Sequence, residues 1–210
     1  MATYFTADLH FNHVGIMTHC KRKFRDVKHM NRSMIEAWND TVTRESDVVW
    51  VLGDFGFKSS TGDNLEEIFY KLRGIKRFVV GNHDEKNPKA MKLPWDNKET
   101  QNKEDEQDED GFSPLGTRLP FLVTFRDVGR RAELCHYPLE TWKNAQRGTL
   151  MLHGHSHGSL KRVIPHRFDV GIDVWHKPVD FEDLWELAQN QMEYQAQDHH
   201  ADVEEVKPWR

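Results

Sequence analysis

The sequence predicts an α/β fold with a mixed sheet region, on three observations. Short strand-like apolar runs alternate with helix-periodic stretches in the first half of the chain. Strand-like runs then crowd together in the second half, and five of the runs end directly in acidic, amide or imidazole residues, several beside a glycine. At 210 residues the chain is expected to form one domain with a substantial core, over 1–188, followed by a polar tail over 189–210.

The elements follow in order. Tyr4 to Ala7 reads as a buried strand. Met30, Met34 and Trp38 recur at four-residue steps, as on one face of a helix. Val48 to Leu52 is a second buried strand. A helix then begins at Asn64, whose side chain can cap while Glu67 reaches back. Leu65, Ile68, Phe69 and Leu72 form its apolar face, and Gly74 can end it. Further strands are predicted over Arg77–Val80, Leu119–Phe125, Ala132–Cys135, Leu150–Leu152 and Phe168–Val174. A last helix starts after Asp180 and carries Phe181, Leu184, Trp185 and Ala188. The stretch 96–111, DNKETQNKEDEQDEDG, has almost no apolar residue and reads as an acidic surface insertion.

Bulk properties narrow the function classes. A net charge of −5 argues against stable nucleic-acid binding, which needs a surplus of Lys and Arg. A small nucleotide substrate stays open, because bound metal ions can reverse the sign of a cleft. Cys20 and Cys135 are too few for a disulfide framework and fit a reducing, cytoplasmic setting. No secretory signal and no apolar run of membrane-spanning length is read, so no membrane partner is expected. Oligomeric state is not readable.

Chemistry concentrates at the strand ends. The first strand ends in Asp8-Leu9-His10, the second in Gly53-Asp54 and the third in Gly81-Asn82-His83-Asp84. Later runs end in His136-Tyr137-Pro138 and His153-Gly154-His155-Ser156-His157. Sites in open α/β sheets gather at the carboxyl ends of strands, so these short motifs can converge. Each alone is weak: Asp-x-His is common, and Gly-Asp is usually a turn. Several imidazoles in one turn have little structural purpose, and together the segments point to metal binding.

In this order D-x-H, G-D, G-N-H-D, H and G-H-x-H resemble the calcineurin-like metallophosphoesterase superfamily. The flanking runs ADLHFNHVGIM, WVLGDFGF, VVGNHD, CHYPLE and LHGHSHG are similar to its small bacterial and phage-type members, from Thr6 to about Trp175. The resemblance implies a four-layer fold, with two facing mixed β-sheets flanked by helices and a dimetal site at one edge. It implies that Asp8, His10 and His157 hold one divalent ion, that Asn82, His136 and His155 hold a second, and that Asp54 bridges both. Mn is the expected metal, and imidazole also suits Fe, Ni, Zn or Co. Two such ions can deprotonate a shared water for attack on a phosphoester. It further implies that His83 is a general acid at the leaving oxygen and that Asp84 fixes its tautomer.

His13, close after the first motif, is a candidate phosphate contact, with a surface role the alternative. Arg22, in the basic run Lys21-Arg22-Lys23, is a candidate substrate-binding fork, with a solvated face the alternative. His153 is expected to support ligands rather than bind metal. Larger members carry a second acidic residue after Gly-Asp, whereas Phe55-Gly56-Phe57 follows here. The metallo-β-lactamase type, with its H-x-H-x-D-H cluster, falls short, since Gly158 and Ser159 follow HGHSH and the Asp-His is missing. The expected substrate is a small phosphodiester, nucleotide-type or other; a phosphomonoester, or a non-catalytic scaffold of the same fold, is the alternative.

Overall fold

The computed structural model describes residues 1–58, 62–97 and 119–191. Most of the acidic stretch 96–111 and the tail beyond residue 191 lie outside the described residues. Its first two positions are built into the body: Asp96 N–H donates to Lys76 O, and Asn97 bonds both backbone groups of Phe78.

The strands are β1 (Thr3–Thr6), β2 (Val48–Leu52), β3 (Ile75–Val79), β4 (Leu122–Asp127), β5 (Arg130–Cys135), β6 (Leu150–His153), β7 (Arg167–Asp169) and β8 (Val179–Asp180). The helices are α1 (Val14–His19), α2 (Val27–Thr41), α3 (Leu65–Lys71), α4 (Asn82–Glu85), α5 (Pro88–Met91), α6 (Ile172–Trp175) and α7 (Phe181–Gln189). Two four-stranded mixed sheets result, in the orders β3-β2-β1-β8 and β4-β5-β6-β7. In the first, β1, β2 and β3 are parallel and β8 is antiparallel; in the second, β5, β6 and β7 are parallel and β4 is antiparallel.

The apolar pattern explains the layers. Every residue of β2 is buried, because both faces of this strand are covered. Val48, Trp50 and Leu52 pack with Val123, Leu134 and Leu152 between the sheets. Val49 and Val51 face the opposite way, onto Met30, Met34 and Trp38 of α2 and Ile68 and Phe69 of α3. On the far side of the second sheet, Met151 and Cys135 pack with Trp142, Ala145 and Ile164.

α2 starts where Asp26 accepts from His29 N–H. α3 is capped by Asn64, but its side chain accepts from Glu66 N–H, and the helix stops at Lys71 rather than at Gly74. The run Phe168–Val174, expected as one strand, breaks after Asp169. The Asp169 carboxylate accepts from Gly171 N–H, and Ile172 begins the short helix α6. Among the described residues no helix is long and apolar enough to cross a membrane. Trp38 is fully buried with its indole N–H on Arg73 O, so Trp38→Ala is expected to cost about 3–5 kcal/mol, read as a lower denaturant midpoint.

Candidate metal centre

Parallel pairing brings the carboxyl ends of β1, β2 and β3 to one side, and β5 and β6 deliver their ends likewise. Beyond the strands the loops stay paired: Asp8 N–H donates to Gly53 O, His10 N–H to Asp54 O and Phe11 N–H to Phe55 O. Within the second sheet Gly154 N–H donates to His136 O, and across the two sheets His155 N–H donates to Asp8 Oδ1. A side chain at Gly53, itself at φ +88°, would collide with His136, and one at Gly81 with Asp54. These glycines are what allow the loops to meet.

The backbone carries strain at the same positions. Asp8, His10, Asp54, His155 and His157 adopt φ of 57°, 51°, 57°, 67° and 47°. Each left-handed non-glycine residue costs on the order of 1–2 kcal/mol, and such residues persist where function holds them.

Asp8, His10 and His157 form the first group, with donor atoms within 4.8 Å of one another. Asp8 Oδ2 and both ring nitrogens of His10 are buried without a hydrogen-bond partner. Burial holds the Asp8 carboxyl well above the usual carboxylate range and lowers His10 to about 2, so His10 is a neutral imidazole with a free lone pair. Orphaned acceptors of this kind are costly unless a cation takes them, and this donor set fits one.

Asn82, His136 and His155 form the second group. Asn82 Oδ1 lies 2.9 Å from His136 Nε2 and 3.0 Å from His155 Nδ1. His136 Nδ1–H donates to Leu52 O at 2.8 Å, which leaves Nε2 as a lone pair facing oxygen. Acceptor facing acceptor again fits a cation. Asp54 stands between the groups, its Oδ2 3.5 Å from His10 Nε2 and 3.5 Å from His136 Nε2.

The other expected site residues divide. His13 and His83 are brought to the same centre: their ring centroids lie 5.3 and 5.2 Å from that of His10. His83 N–H also donates to Asp54 Oδ1. His153 is buried beside the ligands, with Nδ1 against Gly154 O.

Asp84 departs from expectation. Its carboxylate makes no bond to the His83 ring; it accepts the backbone N–H groups of Asp54, Gly81 and Phe55, at 2.6, 2.9 and 3.2 Å. Burial first, and the nearby Asp54 charge second, push its carboxyl up to about 7, while those bonds pull it down. Asp84 therefore fixes the loop that aims Asp54. Asp84→Asn offers a single oxygen to three donors and is expected to destabilise by about 1–3 kcal/mol, measured by urea unfolding.

Arg22 is a second correction. It is not an open fork for substrate: its Nε and Nη2 donate to the two Asp173 oxygens at 2.7 Å, and its Nη1 and Nη2 to Leu9 O and Asp8 O. Asp173 in turn accepts from His157 Nδ1 at 2.7 Å, which turns His157 Nε2 toward the first group. Sequence reasoning missed Asp173, which sits inside the run taken for a strand. Cys20 also lies within reach of His157 and Asp173, but both Asp173 oxygens are already engaged by Arg22.

The family described as calcineurin-like phosphoesterase matches residues 1–204, and the chain belongs to it. Its chemistry is metal-dependent hydrolysis of phosphoesters. The Gene 66 protein of Mycobacterium phage D29 is 28% identical over 202 residues, which is 88% of this chain and 94% of the phage protein. An uncharacterised protein of Methanocaldococcus jannaschii is 38% identical over 81 residues, 39% of this chain, and the match spans only 46% of that protein. The crystal structure of an Aquifex aeolicus protein of unknown function shares the fold, with a TM-score of 0.62 at 20% identity, covering 89% of this chain and 98% of that one.

Proposed function

We propose that this protein hydrolyses small phosphodiesters of nucleotide type at a two-metal centre, with Asp54 as the bridging ligand and Mn the working ion. The observation that carries the two-metal reading is the place of Asp54 Oδ2, equally distant at 3.5 Å from one imidazole of each donor group. When bound, two divalent ions at such a centre activate water and offset charge on phosphoryl oxygens.

The remaining residues hold the centre or act on the substrate. Asp84, which accepts from Asp54 N–H, and the backbone bonds that Gly53 O and Asp54 O accept from Asp8 and His10 hold the centre in place. His83, which faces the first group without belonging to either, gives a proton to the leaving oxygen. His13 supplies a second imidazole toward the phosphate. Two aromatic rings flank the centre: Phe57, 4.5 Å from the His13 ring, and Tyr137, 4.8 Å from the His155 ring. One platform for each arm of a diester supports the preference for diesters over monoesters.

The test is hydrolysis of bis(p-nitrophenyl) phosphate and p-nitrophenyl phosphate by metal-stripped protein resupplied with Mn²⁺. Metal-dependent turnover favouring the diester is the expected result. Preference for the monoester recasts the protein as a phosphatase, and absence of metal-dependent turnover on both sinks the reading. His83→Ala is expected to lose about 10²–10⁴-fold in kcat with metal binding retained. Near-normal turnover of that variant would remove the proton from its duties.

A further inference from the structure

A cavity of about 560 Å³ is lined in part by His157 and Asp173, within the size range of small-molecule sites. Its floor is apolar, from Phe24, Met34 and Ile172. Lys21, Lys23 and His176 stand at its rim, all exposed. The two lysines form no ion pair among the described residues. Asp173, the carboxylate in its wall, is already neutralised by Arg22. A chain of net charge −5 thus places uncompensated cations around an apolar recess that shares His157 with the metal centre.

Such a recess takes an amphiphilic anion: the floor covers a planar apolar body and the lysines face a phosphate. We propose that it binds the distal part of a nucleotide-type substrate, a nucleoside whose second phosphate, separate from the reacting one, lies on Lys21 and Lys23. The inference deepens the phosphodiesterase reading and rests on it for the identity of the reacting bond. Phosphate contacts from two ammonium groups favour substrates with the extra phosphate over those without.

Binding tests the recess independently of turnover. The probe is thymidine 3′,5′-bisphosphate, titrated calorimetrically into metal-stripped protein in EDTA, with thymidine as the comparison. Wild type is expected to bind the bisphosphate at least about tenfold more tightly than thymidine, a preference worth ~1.4 kcal/mol. Lys21→Glu/Lys23→Glu should abolish that preference, and Ser33→Trp, which fills the recess from α2, should abolish binding. Equal affinity for both compounds in wild type, or bisphosphate binding that survives both variants with native circular dichroism, overturns the proposal. Metal-dependent turnover of bis(p-nitrophenyl) phosphate by wild type is measured alongside. Its absence defeats the enzymatic reading while the calorimetry still decides the recess.

Discussion

Asp54→Asn is expected to lower metal-supported phosphoester hydrolysis by about a thousandfold, equivalent to ~4 kcal/mol of transition-state stabilisation. The carboxylate reaches an imidazole of each donor group, and the amide removes the charge they share. Its Oδ1 bond from His83 N–H can survive in the amide, so the loop should keep its course. Stability should move the other way. The Asp54 charge raises the carboxyl groups of both Asp8 and Asp84, which is like-charge repulsion inside a buried site. Metal-stripped Asp54→Asn should therefore unfold at or above the temperature of metal-stripped wild type, a trade of stability for function. Initial rates and thermal melts check the two halves; turnover near wild type contradicts the bridging role.

Arg22→Ala should be among the most destabilising single changes in the chain, at about 3–5 kcal/mol. The guanidinium is 4% exposed and its partner Asp173 is 13% exposed, so truncation strands a nearly buried carboxylate. It also abandons the carbonyls of Asp8 and Leu9, which aim the first metal-binding motif. Asp173→Asn separates positioning from folding. It keeps shape and an acceptor but loses the charge that orients His157, and Mn²⁺ affinity should fall about 10–100-fold with a smaller loss of stability. Urea unfolding and Mn²⁺ titration of both variants read the two effects. Unchanged metal affinity in Asp173→Asn would leave the pair with a purely structural role.

These two cases show where the sequence was readable. Asp8, Asp54, Asn82, His136 and His155 were legible as a group because each follows a strand whose apolar run is unmistakable, and parallel pairing then gathers the ends. Arg22 was misread as a substrate fork because, within a short basic run, nothing shows that its guanidinium is already engaged. Its partner Asp173 lies 151 residues away, and nothing local announces it. Asp84 was misassigned for the same reason: its bonds go to backbone groups of Asp54 and Phe55, 30 and 29 residues back. The run Phe168–Val174 has strand-like composition, yet the side chain of Asp169 turns the chain at Gly171 and overrides the pattern.

Metal stoichiometry tests the two-ion centre most directly. Stripped protein, dialysed against Mn²⁺ and analysed by mass spectrometry of metal and by isothermal titration, should bind two ions per chain. His136→Ala should bind one, because Asp8, His10 and His157 remain together. A single ion in wild type, or two retained in His136→Ala, would contradict the assignment of Asp54 as a bridge between separate groups.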